Sequence, residues 1–129
     1  MKHIKQFDAV VCGAGHAGVE AALILNRFKI STALITIDPL AIGRMSCNPA
    51  IGGLAKGQIV KEIDVLGGIM GKATDYSALQ YKILNKSKGK SVWSPRAQVD
   101  KRTYEGFINK TIKKAKYITV LQGEIVDIV

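Results

Sequence analysis

The chain of 129 residues has the length of one ordinary domain, which excludes a large multidomain assembly. Hydrophobic residues make up 47% and charged residues 22%, so the composition excludes wholesale disorder. Two cysteines cannot form a disulfide framework, and no C-x-x-C or histidine-rich spacing indicates a metal site. No apolar run reaches the roughly 20 residues of a membrane span, and glycines and a histidine interrupt the N-terminal apolar stretch. We therefore expect a cytoplasmic protein without membrane association.

The net charge of +9 is concentrated in one part of the chain. Residues 72–116 contain twelve basic and three acidic residues, whereas residues 1–71 contain seven and five. Residues 117–129 contain two acidic residues and no basic one. A concentrated positive field favours a polyanion such as nucleic acid. A solvated, lysine-rich face is the alternative interpretation of the same charges.

The first third of the sequence predicts a strand–helix–strand unit. Residues 7–12 form a short apolar run that stops at glycines, typical of a buried strand with Cys12 in the core. Apolar residues recur at three- and four-residue spacing over 17–28, which predicts a helix. Residues 31–37 are rich in Thr and Ile and predict a second strand. Short links between these elements predict an α/β fold with a parallel sheet.

The middle of the sequence predicts a long loop followed by helical segments. Residues 38–53 contain two prolines and three glycines, and loops of that length in a compact domain are commonly functional or disordered. Residues 56–66 predict a helix, which the glycines at 67–68 end or kink. A short helical segment is expected to follow, up to about residue 76.

The last third of the sequence predicts one long helix between less regular segments. The pattern of residues 79–84 is ambiguous, and a strand is one interpretation of it. Residues 85–91 predict a basic, turn-rich loop. Residues 98–116 form the clearest amphipathic helix, with Val99 on its apolar stripe. Residues 117–121 predict a third strand. The chain stops inside a further apolar run from residue 125, so we expect a domain that is incomplete at its C-terminus.

A glycine motif, Gly13-x-Gly15-x-x-Gly18, follows the first predicted strand and opens the first predicted helix. Gly13 permits a tight turn, Gly15 lets the backbone approach a pyrophosphate, and Gly18 lets the helix pack closely on the sheet. Free amides and the positive end of the helix dipole can then hold phosphates. The motif in this context predicts dinucleotide binding.

The ribose contact that normally accompanies this motif is ambiguous in the sequence. An acidic residue is expected about 20 positions further on, at the end of the second strand. Thr36 occupies the expected position, and Asp38 points the same way two residues later. Either residue can make the contact, and no arginine stands there for a 2′-phosphate.

Several segments of the sequence resemble the MnmG/GidA family of FAD-dependent tRNA uridine 5-carboxymethylaminomethyl modification enzymes. The resemblance rests on FDAVVCGAGHAGVEAAL, GRMSCNPAIGGLAKGQIVKEIDVLGGIMGKATD, ILNKSKG and RAQVDK with Tyr104. It covers essentially all 129 residues, which correspond to the N-terminal fifth or so of a typical member. It implies that residues 1–129 are the N-terminal part of a single FAD-binding domain, Rossmann-like and of the glutathione-reductase type.

The resemblance implies FAD as the dinucleotide and assigns the residues that bind it. In the glycine turn these residues are Gly13, Ala14, Gly15, His16, Ala17 and Gly18. The side chain of His16 either touches the cofactor or faces solvent. After the third strand, the backbone of Ile125 corresponds by position to a residue that touches the adenine.

The resemblance also implies a reaction and its partners. Family members act with the GTPase MnmE in a heterotetramer and add an aminomethyl-type group at C5 of the wobble uridine of tRNA. Methylenetetrahydrofolate donates the carbon, glycine or ammonium supplies nitrogen, and NADH can reduce the flavin. A full-length homodimer is implied as well. Because the family needs further regions, we expect that these 129 residues alone do not complete the reaction.

The block around Cys47 has two interpretations. Resemblance assigns Cys47 as a catalytic thiolate that adds at C6 of the pyrimidine and makes C5 nucleophilic. Helix amides and a nearby lysine could lower its pKa, whereas a small buried thiol packing the loop is the alternative. Asn48, Gly52, Gly53 and Lys56 form an anion-friendly turn before a helix. This turn either contacts the cofactor or has a structural role.

Basic residues from 82 to 90, together with Arg96, Lys101 and Arg102, could meet tRNA phosphates. Trp93 could stack on a base, although a single tryptophan is more often part of the packing. Two other functions remain open: an NAD-dependent oxidoreductase fragment and a non-enzymatic, basic RNA-binding module. The loop block from Cys47 to Gly53 and the absence of an acid at Thr36 argue against the first of these.

Overall fold

The computed structural model describes residues 5–46 and 48–127, and the chain folds into two compact units. The first unit is built from both ends of the chain, up to Gly43 and from Lys110 onward. The second unit comprises Arg44–Asn109.

The first unit contains a parallel three-stranded sheet in the order β1-β2-β6 and one helix that connects its first two strands. In the register, Val11 lies beside Leu34, and Leu34 lies beside Val120. These elements confirm the predicted α/β fold with a parallel sheet. Their bounds are β1 Ala9–Cys12, α1 His16–Arg27, β2 Thr32–Thr36 and β6 Ile118–Gln122.

The central strand β2 and the inner face of α1 supply much of the core of the first unit. Leu34 is fully buried on β2, and Val19 and Ala22 are buried on α1. Val19 and Ala22 are three residues apart and therefore lie on one helix face. Thr32 is also buried, and its hydroxyl donates a hydrogen bond of 2.9 Å to the carbonyl oxygen of Ile30, which satisfies its polar atom.

The first strand differs from its prediction in burial. Ala9 and Val11 of β1 are half-buried, whereas Val10 and Cys12 are exposed. Because β1 is an edge strand of the described sheet and alternate side chains point to opposite faces, one of its faces stays uncovered. The prediction that Cys12 is a core residue was therefore wrong.

The second unit contains an antiparallel three-stranded sheet in the order β3-β5-β4 and helices that pack against it. Its core is formed by buried residues of both layers, among them Ile51, Val60, Met70, Ala73, Ala97, Val99, Tyr104 and Ile108. Helix α4 begins in this unit and ends in the first. The bounds are β3 Ala50–Gly52, α2 Lys56–Val65, α3 Met70–Ser77, β4 Ala78–Leu84, β5 Ser94–Val99 and α4 Lys101–Lys114.

The helices α2 and α3 confirm their predictions, but two strands depart from them. Strand β3 lies inside the segment 38–53 that was predicted to be a loop. Strand β5 was not predicted, and the helix expected from residue 98 begins at Lys101. Val99 is consequently buried in β5 instead of on a helix stripe. A proline and polar residues in β5 hide its alternation of buried positions.

Other segments agree with the sequence or lie outside regular structure. Residues 79–84, left open above, belong to β4. The basic segment 85–91 forms short 3-10 turns at Lys86–Lys88 and Lys90–Val92, which confirms a turn-rich loop. Residues 123–127 belong to no helix or strand, and the end of the apolar run lies outside the described residues.

Asp100 caps the start of α4 and makes its stability sensitive to acid. Its Oδ1 accepts a hydrogen bond of 2.7 Å from the amide of Thr103. Side-chain and backbone hydrogen bonds from Thr103 lower the pKa of the Asp100 carboxyl from its usual value of 3.8. A lowered folded-state pKa gives a contribution that is present above the unfolded pKa and is lost as pH falls through the folded one.

We therefore expect the stability advantage of the native chain over Asp100→Asn to shrink as pH falls through the acid range. Asparagine preserves a capping oxygen but carries no titrating charge. Urea unfolding followed by circular dichroism over a pH series measures the difference in unfolding free energy. Parallel curves for the two proteins at all pH values would contradict the assignment of the cap.

Within residues 5–46 and 48–127, no helix has both the length and the apolar character needed to cross a membrane.

Candidate nucleotide-binding site

The turn between β1 and α1 has the geometry that the glycine motif predicts. Gly13 has φ +92°, a conformation that favours glycine, and its amide donates to the carbonyl oxygen of Ile35 at 2.8 Å. Gly15 is the N-cap of α1, with extended backbone and no capping side chain. The helix therefore begins with amides that no side chain of its cap satisfies.

The other two glycines of the motif have opposite surroundings. A Cβ on Gly18 would collide with the carbonyl oxygen of Gly13 and approach Cγ1 of Val11 at 3.5 Å. A Cβ on Gly15 would meet nothing within 4 Å. Gly18 therefore permits close packing of α1 on the turn, whereas Gly15 leaves open space at the helix start, as a pyrophosphate requires.

The remaining predicted residues of the turn have different degrees of exposure. Ala14 is buried, and its carbonyl oxygen accepts a hydrogen bond of 2.9 Å from the amide of Gly43. His16 is the first residue of α1 and is half-buried, with its Nε2 atom fully enclosed. Ala17 is exposed. The six predicted residues thus lie in the connecting turn and the first turn of α1, and the ring of His16 is not simply turned to solvent.

The carboxyl end of β2 lies at the same edge of the sheet as this turn. Oδ1 of Asp38 accepts a hydrogen bond of 2.9 Å from the amide of Leu40 and caps the 3-10 turn Pro39–Ala41. The hydroxyl of Thr36 donates to the carbonyl oxygen of Asp38 at 3.4 Å. Both candidates for the ribose contact are present at this edge, and the choice between them stays a prediction.

The end of β6 completes this edge. The amide of Gly123 donates to the carbonyl oxygen of Thr36 at 3.0 Å, and Nε2 of Gln122 donates to that of Ile37 at 3.1 Å. Ile125 follows two residues later and is partly exposed. The structure therefore places Gly123 at the edge of the sheet that carries the glycine turn, two residues before Ile125, and the contact of Ile125 with adenine stays a prediction.

The second unit contains an unusual turn before α2. The amide of Lys56 donates to the carbonyl oxygen of Leu54 at 2.8 Å, with Ala55 between them at φ +62° and ψ −53°. This is a γ-turn of the rare, strained kind. Gly52 and Gly53 also have positive φ, at +116° and +96°. The glycines predicted a turn before this helix, but nothing in the sequence indicated a γ-turn centred on Ala55, because alanine is not a residue that favours positive φ.

For the other predicted residues around Cys47, the structure gives mainly their exposure. Lys56 is exposed as a residue, and partial burial of its ammonium group lowers its pKa from the usual value of 10.5. Asn48 is exposed. Cys47, the predicted catalytic residue, lies outside the described residues. Cofactor contact through Asn48, Gly52, Gly53 and Lys56 stays a prediction.

The tryptophan that follows the basic loop after β4 forms a hydrogen bond back to that loop. Nε1 of Trp93 donates to the carbonyl oxygen of Lys86 at 3.3 Å, and the residue is 37% exposed. This bond supports the packing interpretation of Trp93. Lys86, Lys88 and Lys90 are exposed. Among the residues that the structure describes, no three His, Cys, Asp or Glu side chains cluster as metal ligands would.

A parallel strand–helix–strand unit with a Gly-x-Gly-x-x-Gly turn at its carboxyl edge defines a Rossmann-like α/β protein. The sequence model of the family described as "Glucose inhibited division protein A" matches residues 8–129. The chain belongs to this GidA family.

Named relatives are similar over nearly the whole chain. MnmG of Aquifex aeolicus, a tRNA uridine 5-carboxymethylaminomethyl modification enzyme, is 51% identical over 126 residues, 98% of this chain and 20% of the relative. The enzyme of the same name from Ureaplasma parvum is 50% identical over 125 residues, 97% of this chain and 20% of the relative. The chain therefore spans about a fifth of the length of these relatives.

Solved structures agree with the fold. Aquifex aeolicus GidA superposes with a TM-score of 0.90 at 50% identity, covering 100% of this chain and 21% of the other. A GidA-related protein from Thermus thermophilus gives a TM-score of 0.53 at 14% identity, covering 92% of this chain and 39% of the other. The second match supports the fold alone.

Proposed function

We propose that this chain is the FAD-binding part of an enzyme that modifies a uridine in tRNA. Family membership supports an enzyme of this kind, because the named relatives are tRNA uridine modification enzymes. Residues 1–129 would form the N-terminal part of a single FAD-binding domain. We propose the cytoplasm as its location.

The observation that carries the cofactor assignment is the contrast between Gly15 and Gly18. Space is open beside Gly15 at an uncapped helix start, while Gly18 is packed against backbone. The amides of the first turn of α1 would hold the pyrophosphate of FAD, and Thr36 or Asp38 and the backbone of Ile125 would contact its adenosine half. FAD, when bound, would supply the redox chemistry.

The details of the reaction extend this proposal. The product would carry an aminomethyl-type group, carboxymethylaminomethyl in its full form, at C5 of the wobble uridine. Methylenetetrahydrofolate would supply carbon, and NADH would be the reductant. The GTPase MnmE would be the partner in a heterotetramer, and the full-length protein would form a homodimer.

Cys47 has a defined role in this proposal. Its thiolate would add to C6 of the uridine, which makes C5 nucleophilic. After C5 has formed its new bond and lost its proton, departure of the thiolate would restore the C5–C6 double bond. The family resemblance supports this role.

The proposed cofactor site is tested with Gly15→Val. A valine at this position fits the extended backbone but occupies the open space, so it should cost at least two charge-assisted phosphate bonds. At about 1.5–3 kcal/mol each, the loss of FAD affinity exceeds roughly 100-fold. Flavin absorption after gel filtration and fluorescence titration of the 129-residue chain measure this loss.

Gly106→Val is the matched control, because Gly106 lies in α4 and its Cβ would also meet nothing within 4 Å. This variant should bind FAD like the native chain. A folded native chain that binds NADH and no FAD would favour an NAD-dependent oxidoreductase. A chain that binds tRNA but neither nucleotide would favour a non-enzymatic RNA-binding module.

A further inference from the structure

A polar hollow lies on one face of the antiparallel sheet in the second unit. Its volume is about 270 Å³, and it is lined by Gln80, Lys82, Leu84, Arg96 and Gln98. Alternate residues of a strand share a face, so the three β4 residues and the two β5 residues form one surface. Tyr81 and Ala97, which pair with each other one residue further along the two strands, lie on the opposite face of the sheet.

The register of β4 and β5 places side chains of the same chemical kind opposite each other in this hollow. Gln80 pairs with Gln98, and Lys82 pairs with Arg96, directly across the two strands. Like charges in directly opposite positions destabilise an antiparallel pair. The lining contains no carboxylate, and within the described part of the chain neither cation forms an ion pair. Fold stability alone does not explain this pair of cations, whereas a bound anion would neutralise both.

The chemistry of the lining matches a phosphate group. Arg96 and Gln98 are half-buried, which restricts their side chains, while Lys82 and Gln80 are exposed. A guanidinium can donate two parallel hydrogen bonds to phosphate oxygens, and the ammonium adds a point charge. The amide groups of the glutamines can supply further donors. The hollow therefore offers donors and positive charge together.

The surroundings of the hollow favour a polyanion over a small free anion. Strand β4 runs directly into the basic loop at 85–91, whose Lys86, Lys88 and Lys90 are exposed. Residues 72–116 as a whole carry a net charge of +9. A chain of phosphates can meet the hollow and the loop at once, which a single phosphate cannot.

We propose that Lys82 and Arg96 bind a phosphate of an RNA backbone in this hollow, with Gln80 and Gln98 as further donors. The choice of RNA rests on the proposed function, whereas the phosphate chemistry rests on the residues themselves. The surface would position the RNA and carries no sequence information of its own.

The double variant Lys82→Gln/Arg96→Gln tests the proposal in the full chain. Fluorescence anisotropy with a labelled, unmodified tRNA transcript measures affinity over a salt series. Each lost phosphate contact reduces the slope of log affinity against log salt by about 0.7–0.9. At about 0.1 M salt the affinity should therefore fall on the order of 30-fold.

The control Lys110→Gln/Lys116→Gln removes two exposed cations from the same basic segment but outside the sheet. If both double variants lose affinity equally, only the net charge matters and the site is overturned. Affinity of Lys82→Gln/Arg96→Gln within about twofold of native would also overturn it.

A charge reversal separates binding from folding. Lys82→Glu places a carboxylate opposite Arg96, which should raise Tm because the cross-strand pair becomes attractive. The same change should abolish RNA binding at the hollow. A variant with higher Tm and unchanged RNA affinity would overturn the proposal, and a purely structural role for Lys82 predicts a lower Tm.

Two further experiments are needed. Competition binding identifies the source of the phosphate, and FAD binding distinguishes a failure of this inference from a failure of the proposed function. Inorganic phosphate and uridine 5′-monophosphate should compete poorly with tRNA, and efficient competition by either would overturn the RNA assignment. FAD binding should be native-like in Lys82→Gln/Arg96→Gln. Normal flavin binding with unchanged tRNA affinity would refute this surface alone, whereas absent flavin binding in the native chain would refute the proposed cofactor alone.

Discussion

Replacement of Gly52 by alanine is expected to remove a large share of the stability of the second unit. Gly52 has φ +116°, where an L side chain is strained, and an added Cβ would collide with the carbonyl oxygen of Pro95. It would also lie 2.8 Å from Cα of Arg96, so the obstacle is backbone and no side chain can move aside. Strain of about 1–2 kcal/mol and overpacking of about 1–3 kcal/mol together give roughly 2–5 kcal/mol. That is a large share of the 5–15 kcal/mol typical of a domain.

Urea unfolding monitored by circular dichroism measures this loss, and Gly53→Ala is the matched control. Gly53 has a similar φ of +96°, but a Cβ there would meet nothing within 4 Å. Gly53→Ala should therefore lower the free energy of unfolding only by the backbone strain, about 1–2 kcal/mol. Equal losses in the two variants would show that contact between β3 and β5 at Pro95 is not the cause.

Alanine at position 18 is expected to damage the first unit and its cofactor site together. The added Cβ would meet the carbonyl oxygen of Gly13, and it would lie 3.0 Å from the carbonyl carbon of the same residue. Helix α1 must then move away from the turn. We expect a loss of about 2–3 kcal/mol, which lowers Tm by on the order of 10 °C for a chain of this size.

Thermal unfolding of Gly18→Ala should be compared with that of Gly15→Ala. The methyl group at Gly15 enters open space, so this variant should keep a Tm close to native while its FAD affinity falls. The two glycines are thereby separated into one that serves packing and one that serves binding. A native Tm for Gly18→Ala would mean that the turn is looser than the structure indicates.

Local patterns predicted most of the first unit. Strand and helix periodicity in residues 7–37 identified β1, α1 and β2 to within one or two residues, because each element has a repeating apolar pattern. The glycine motif identified the turn between β1 and α1 for the same reason, since its spacing reflects local geometry. The parallel arrangement followed from the short connections.

Features that depend on distant residues were not predictable in the same way. Exposure of Cys12 depends on which strand lies at the edge of the sheet, and sheet order is not encoded locally. Strand β5 escaped prediction because Pro95 and Arg96 resemble loop residues, although β3 and β4 pair with them. The opposition of Lys82 and Arg96 likewise needs the register of two strands, which the sequence does not specify by itself.

The position of β4 at the edge of its sheet also has a consequence for solubility. The strand is seven residues long, and Leu79, Tyr81 and Ile83 on it are 69%, 61% and 44% exposed. A long apolar edge strand is a template on which other chains can aggregate, and a charged residue in its middle opposes that association. We therefore expect Lys82 to oppose aggregation of the isolated chain, and Lys82→Glu, which retains a charge there, to be better suited to experiments at high concentration than a neutral replacement.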